Sequence, residues 1–231
     1  LREYFGNPSS GHVYGRRAHD AVERARGQVA TLLGCDDDEV VLTSGGTEAN
    51  NLAIRGVVEA RDDRRNVITT AIEHPATEQP CAWLERHGMR VTRIGVDVDG
   101  RARVEDARAA IDAATALVTV MHSNNETGVL QPVVDFAVLA HAVGAILHTD
   151  AAQSAGKVPL KVRELGVDLL SIAGHKLYAP KGVGALYVKR GTPLVPFVLG
   201  AGHERGLRPG TENVAAIVGL GLACEIAGSD M

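Results

Sequence analysis

Short runs of Val, Ile and Leu alternate along this chain with longer stretches whose apolar residues recur at three- and four-residue spacing. The runs Glu39–Thr43, Asn66–Ala71, Arg90–Val96, Ala116–Met121, Ala145–Thr149, Asp168–Ile172 and Val183–Val188 read as strands. Ala18–Leu33, Thr47–Ala60, Thr77–His87, Val104–Ala113, Val133–Val143 and Val214–Ile226 read as helices. Strands that are apolar throughout, joined by crossover helices, predict an α/β fold: a mainly parallel seven-stranded sheet with helices on both faces. Between Asp168 and Val188 there are two strands and no clear helix, which predicts one antiparallel strand. No internal repeat, low-complexity tract or Pro/Gly/Ser linker breaks the pattern, so residues 1–231 read as one domain.

Composition narrows the function classes. The chain is 45% hydrophobic and 23% charged, ordinary for a globular protein. A net charge of −4, a pI near 6.1 and scattered basic residues give no electrostatic footprint for nucleic acid or an anionic membrane. No run approaches the ~20 apolar residues of a membrane span. The opening Leu1-Arg2-Glu3-Tyr4-Phe5-Gly6 lacks the basic-then-apolar pattern of a signal peptide. Cys35, Cys81 and Cys224 form no CxxC pair, which suits reduced thiols in a cytoplasmic protein.

In such a sheet, ligands bind outside the carboxyl ends of the strands, and three distinctive segments fall there. Thr43-Ser44-Gly45-Gly46-Thr47-Glu48-Ala49-Asn50-Asn51 follows a strand and opens a helix. Its glycines and free helix-start amides suit an anion, and Thr47 adds a hydroxyl; it also reads as an ordinary glycine turn with Thr47 as helix cap. His148-Thr149-Asp150-Ala151-Ala152-Gln153 puts the Asp150 carboxylate at a strand end among small residues, as a ligand partner or as a helix cap. Ala173-Gly174-His175-Lys176 puts a lysine at another strand end. The alternative is a surface lysine in a loop, yet of the five lysines only Lys176 has this setting. An anion cradle, a carboxylate and a lysine are together what pyridoxal 5'-phosphate (PLP) requires of a protein.

Gly6-Asn7-Pro8-Ser9-Ser10, Thr43–Leu52, Ile72-Glu73-His74-Pro75, Met121–Gly128, His148–Gln153, Ala173–Gly184 and Arg205–Asn213 occur in order across nearly the whole chain. The set resembles the cysteine desulfurase branch of the class V aminotransferase family. Asn124-Asn125-Glu126 and Arg208–Asn213 are similar to the iron–sulfur-cluster and nitrogenase-associated members. The resemblance implies the large, PLP-binding domain of that family. It implies Lys176 as the covalent anchor of PLP, Asp150 as the partner of the pyridine nitrogen, and His74 stacked on the ring and moving protons. It further implies Asn125 and Gln153 as hydrogen-bond partners of the cofactor, and Gly46, Thr47 and His175 as phosphate holders. Thr211 would reach the cofactor of a second subunit, so a homodimer is implied. His122, His148 and His203 match family positions without a firm role, and no histidine spacing supports a metal site.

The implied reaction converts L-cysteine to L-alanine, the sulfur passing to an enzyme cysteine as a persulfide and onward to a sulfur-acceptor or scaffold protein. Selenocysteine lyase, acting on selenocysteine, shares most of these motifs. A truncated PLP-binding domain without sulfur transfer is the third reading. Two departures stand out. Many relatives carry serine where this chain has Ala173, which removes one side-chain bond to the phosphate. The family's small C-terminal domain, its loop with the nucleophilic cysteine and its extreme N-terminal segment have no counterpart in residues 1–231. Cys81 and Cys224 fall in helical patterns, and Cys35 precedes Asp36-Asp37-Asp38, whose charge should suppress a thiolate, so none is expected to be the nucleophile.

Overall fold

A computed structural model describes residues 3–231; Leu1 and Arg2, the first residues of the segment read as lacking a signal-peptide pattern, lie outside the described residues. The chain runs α1 (Val13–Leu33), β1 (Val40–Thr43), α2 (Gly46–Ala60), β2 (Asn66–Thr70), α3 (Pro75–Arg86), β3 (Arg90–Ile94) and α4 (Val104–Ala110). It continues with β4 (Thr115–Thr119), α5 (Val133–Ala142), β5 (Ile146–Asp150), α6 (Val162–Leu165), β6 (Leu169–Ala173), β7 (Gly184–Val188) and α7 (Val214–Asp230). The strands form one sheet in the order β1-β7-β6-β5-β4-β2-β3. β7 is antiparallel to both its neighbours, and every other pairing is parallel. The expected mainly parallel sheet with one antiparallel strand is therefore what forms. Among the described residues no helix is long and apolar enough to cross a membrane.

The pleat divides the core. Val40, Leu42, Leu170, Ile172, Ala185 and Tyr187 face a layer built on α1, α5 and α7, while Val41, Leu169 and Leu186 face α2 and α3. Burial on both faces explains why β1, β4 and β6 are mostly apolar without alternation. The parallel strands all present their carboxyl ends to one edge. At that edge Thr43 and Ala173 lie on either side of Gly184, and Asp150 lies opposite Ser171.

Element ends depart from the hydrophobic runs where hydrogen bonding, not apolarity, sets them. α1 begins at Val13 instead of Ala18, because the His12 ring accepts the Gly15 amide at 3.1 Å and caps a turn that has little core contact. α3 starts at Pro75 instead of Thr77, behind the His74 cap. α4 stops at Ala110 and not Ala113, whereas α7 runs on to Asp230 instead of Ile226. The strand expected over Arg90–Val96 ends at Ile94, and Val96 makes only an isolated bridge to Ala102. Thr47 is not the cap of α2; that position belongs to Gly45.

Candidate functional site

A cavity of about 410 Å³ opens at the carboxyl edge of the sheet, within the size range of small-molecule sites. β1 delivers the first wall. Thr43 Oγ1 donates to the Gly45 carbonyl at 3.1 Å and accepts the Gly45 amide at 3.4 Å. That bracing holds Gly45 at φ 150°, ψ 177°, a conformation open essentially to glycine alone. The chain then turns directly into α2, whose first-turn amides have no intrahelical acceptor. A β-carbon on Gly46 would sit 3.1 Å from the Ala173 side chain, so the bare glycine lets the helix start lie against the end of β6. Gly46, Thr47 and Glu48 all line the cavity.

β5 supplies the floor. Asp150 is 6% exposed, and its oxygens accept from Asn50 Nδ2 at 2.7 Å and the Ala152 amide at 2.9 Å. Burial pushes this carboxyl up; the Ala152 and Asn50 bonds and the nearby His74 act against that. A buried carboxylate held by neutral donors at the foot of a cavity is an acceptor for a cationic N–H. Asn50 was missed in the reading of site residues. The available signal was an amide on the otherwise apolar inner stripe of α2, between Ala49 and Leu52–Ala53. Its own Oδ1 is buried without a partner.

β6 supplies the lysine. It runs into a short 3-10 turn, Gly174–Leu177, which Leu177 anchors in the core. Gly174 donates to the Val183 carbonyl at 3.0 Å, and a β-carbon there would approach that oxygen to 2.8 Å, so this position needs glycine. His175 and half-buried Lys176 then line the cavity opposite α2. The remaining walls come from His74, Met121, Ser123, Asn125 and Gln153. His74 caps α3, its Nδ1 accepting the Ala76 amide at 3.1 Å, so its helix-start role and its place at the cavity coexist. Behind it, the Glu73 carboxyl accepts from Thr70 Oγ1 at 2.6 Å and the Met121 amide at 2.9 Å; burial pushes it up to about 8.

Eight of the nine predicted site residues, Gly46, Thr47, His74, Asn125, Asp150, Gln153, His175 and Lys176, thus meet in one cavity. Thr211 does not. It is exposed and lines an adjoining cleft with Ser44, Gly182 and Arg208. Neither Cys35, Cys81 nor Cys224 lines the cavity, and burial pushes all three thiols up to about 12. Among the described residues no group of three or more His, Cys, Asp or Glu is placed to hold a metal ion.

A family model described as aminotransferase class-V matches residues 1–231. A cysteine desulfurase of Gluconacetobacter diazotrophicus is 49% identical over 227 residues, covering 97% of this chain and 57% of the relative. A solved structure described as a NifS-like protein superposes with a TM-score of 0.96 at 40% identity, covering 99% of this chain and 64% of the other. Another, described as SspA in complex with cysteine, gives 0.92 at 40% identity and covers 96% of this chain and 65% of the other. The chain thus spans just over half the length of the curated relative and less than two thirds of each solved one.

Proposed function

This chain belongs to the aminotransferase class-V family, and from that premise we propose that it is the cofactor-holding domain of a PLP-dependent cysteine desulfurase. The observation that carries the reading is the meeting of Lys176, Asp150 and the α2 start in one cavity, each from a different strand end. The donor set fits the group: amides and hydroxyl for a phosphate, a buried carboxylate hydrogen-bonded only to neutral donors for a pyridinium, an amine for an aldehyde. PLP, when bound, supplies an electron sink for the α-carbon of an amino acid.

In this reading Lys176 would anchor the cofactor, and Asp150 would pair with the ring nitrogen and favour its protonated form. His74 would cover the ring and pass protons at Nε2, since its Nδ1 accepts the Ala76 amide. Asn125 and Gln153 would orient the ring, and Gly46, Thr47 and His175 would hold the phosphate without the extra bond that serine at position 173 would add. Thr211 addresses the cofactor of a second subunit in a homodimer, which suits its exposure outside the cavity. The substrate is L-cysteine, which leaves as L-alanine, and its sulfur passes to a cysteine thiolate as a persulfide and then to an acceptor protein in the cytoplasm. That thiolate is assigned to none of Cys35, Cys81 and Cys224, which stay protonated.

The test is borohydride reduction of the full-length protein loaded with PLP, followed by peptide mapping and an assay for alanine and sulfide. The label is expected on the peptide holding Lys176, and Lys176→Ala should abolish both label and activity. A label on Lys157, Lys181 or Lys189 would refute the assignment.

A further inference from the structure

Glu48 sets a negative charge in the first turn of α2, on the wall of the cavity that the phosphate of the proposed cofactor would enter. Two anions sharing a helix start repel each other at short range. The structure places a counter-charge on this carboxylate. Arg208 Nε donates to Glu48 Oε1 at 2.8 Å, and Arg208 Nη2 stands 3.5 Å from Oε2, which also accepts the Ser44 amide at 2.7 Å. The pair is sheltered, the Arg208 and Glu48 side chains being 24% and 15% exposed. Burial pushes the Glu48 carboxyl up, but the bonds from Arg208 and Ser44 outweigh it and hold the group below its ordinary range. Glu48 therefore stays ionised, and its charge has to be managed wherever an anion is to bind.

Arg208 also belongs to the segment that carries Thr211, and the two residues line the same cleft beside Ser44. One ion pair thus ties the loop after β1 to the segment proposed to reach the second subunit's cofactor. We infer that Arg208 is a positioning residue for phosphate binding: it masks the charge of Glu48 so that the α2 start accepts an anion, and by the same bond it fixes the Thr211 segment. The inference rests on the proposed PLP site and names how that site tolerates its own carboxylate.

Masking and simple bracing make opposite predictions. If the pair only braces the loop, removing either partner loses the same bond. If Arg208 masks charge, Arg208→Ala leaves a bare carboxylate beside the phosphate, whereas Glu48→Gln removes the repulsion and keeps an oxygen for the Ser44 amide. The experiment is a PLP titration of the apo full-length protein, followed by cofactor absorbance, for the unaltered protein, both single variants and the double variant, at low and high salt. Arg208→Ala is expected to bind PLP about tenfold more weakly at low salt, with the deficit shrinking as salt rises. Glu48→Gln should bind at least as tightly as the unaltered protein, and the double variant should return to within about threefold of it. A Glu48→Gln deficit equal to that of Arg208→Ala, with no recovery in the double variant, overturns the inference. Should Arg208→Ala fail to fold, weaker binding by Glu48→Gln alone overturns it. An unaltered protein that binds no PLP overturns the cofactor assignment itself, and the masking role with it.

Discussion

At Asp150, one lone pair on each oxygen is taken by a neutral donor, and the rest of the carboxylate faces the cavity from a buried position. Replacing it by asparagine keeps the shape, removes the charge and leaves one oxygen for the two donors. Asp150→Asn is expected to hold PLP more loosely and to slow exchange of the substrate α-proton by about tenfold or more; isotope exchange into cysteine or alanine measures the second effect, and an unchanged rate would exclude the pairing role. The cysteines give a second residue-level expectation. With all three thiols pushed up to about 12, alkylation at these three positions, read by peptide mapping, should be slow at neutral pH. Its rate should climb through pH 10 without levelling. A plateau near pH 8 would identify an activated thiol. That none of these thiols suits a nucleophile was legible in the sequence, but what raises Cys35 was not. Burial is the larger influence and Glu39 the next, with Arg163 opposing; Asp36 and Asp37 rank behind them, and Asp38 is not among the leading causes. Which charges face a buried atom depends on how chain segments fold back, and a run of acidic letters does not say.

Elements were read well where local chemistry and tertiary packing agree. The turn from β1 into α2 was legible because an apolar run, two glycines and the start of a helical period follow one another in that order. α6 was not, since four residues between a lysine and Gly166 carry no periodicity; the turn closes on the left-handed Gly166. The start of α1 was likewise hidden, its cap being a histidine, an unusual residue for that task. β7 tests the packing at the site edge. A β-carbon on Gly184 would approach the Ile172 carbonyl to 2.6 Å and the Gly45 backbone to 2.8 Å. Gly184→Ala should therefore lower the unfolding free energy by about 1–3 kcal/mol and displace the Gly45 turn. Urea denaturation and PLP affinity would report the two effects together, and an alanine variant unchanged in both would contradict close packing at Gly184.

For the whole molecule, two buried groups set opposite slopes of stability with pH. His148 is bonded on both sides, to Thr119 Oγ1 at 2.8 Å and Ser171 Oγ at 2.9 Å, and burial pushes its pKa from 6.5 down to about 3. The unfolded chain takes up that proton first, so its contribution is complete above about pH 6.5 and is lost as pH falls toward 3. Glu73 is the reverse: its carboxyl is pushed from 4.5 up to about 8, so its contribution is complete below pH 4.5 and is lost as pH rises toward 8. The two slopes cancel between about pH 4.5 and 6.5, where urea midpoints should change least. His148→Gln should flatten the acid limb, and Glu73→Gln the limb above neutrality; limbs unaltered by these changes would rule out the two groups as their source. The sheet and its strand-end site were legible because burial on both faces leaves a plain apolar signature. Strand order was not, since neighbours are chosen by crossovers that no local pattern encodes. That order has a consequence for how the molecule is made. β7 is inserted between β1 and β6, with Thr43 opposite Gly184, so β1, made before the other six strands of this sheet, waits for β7, made after them, before its edge is paired. Translation must therefore release an apolar ribbon long before its partner exists. Amide protection in β1 and β7 should arrive together and after that of β2, β3 and β4, the slow closure of a long loop.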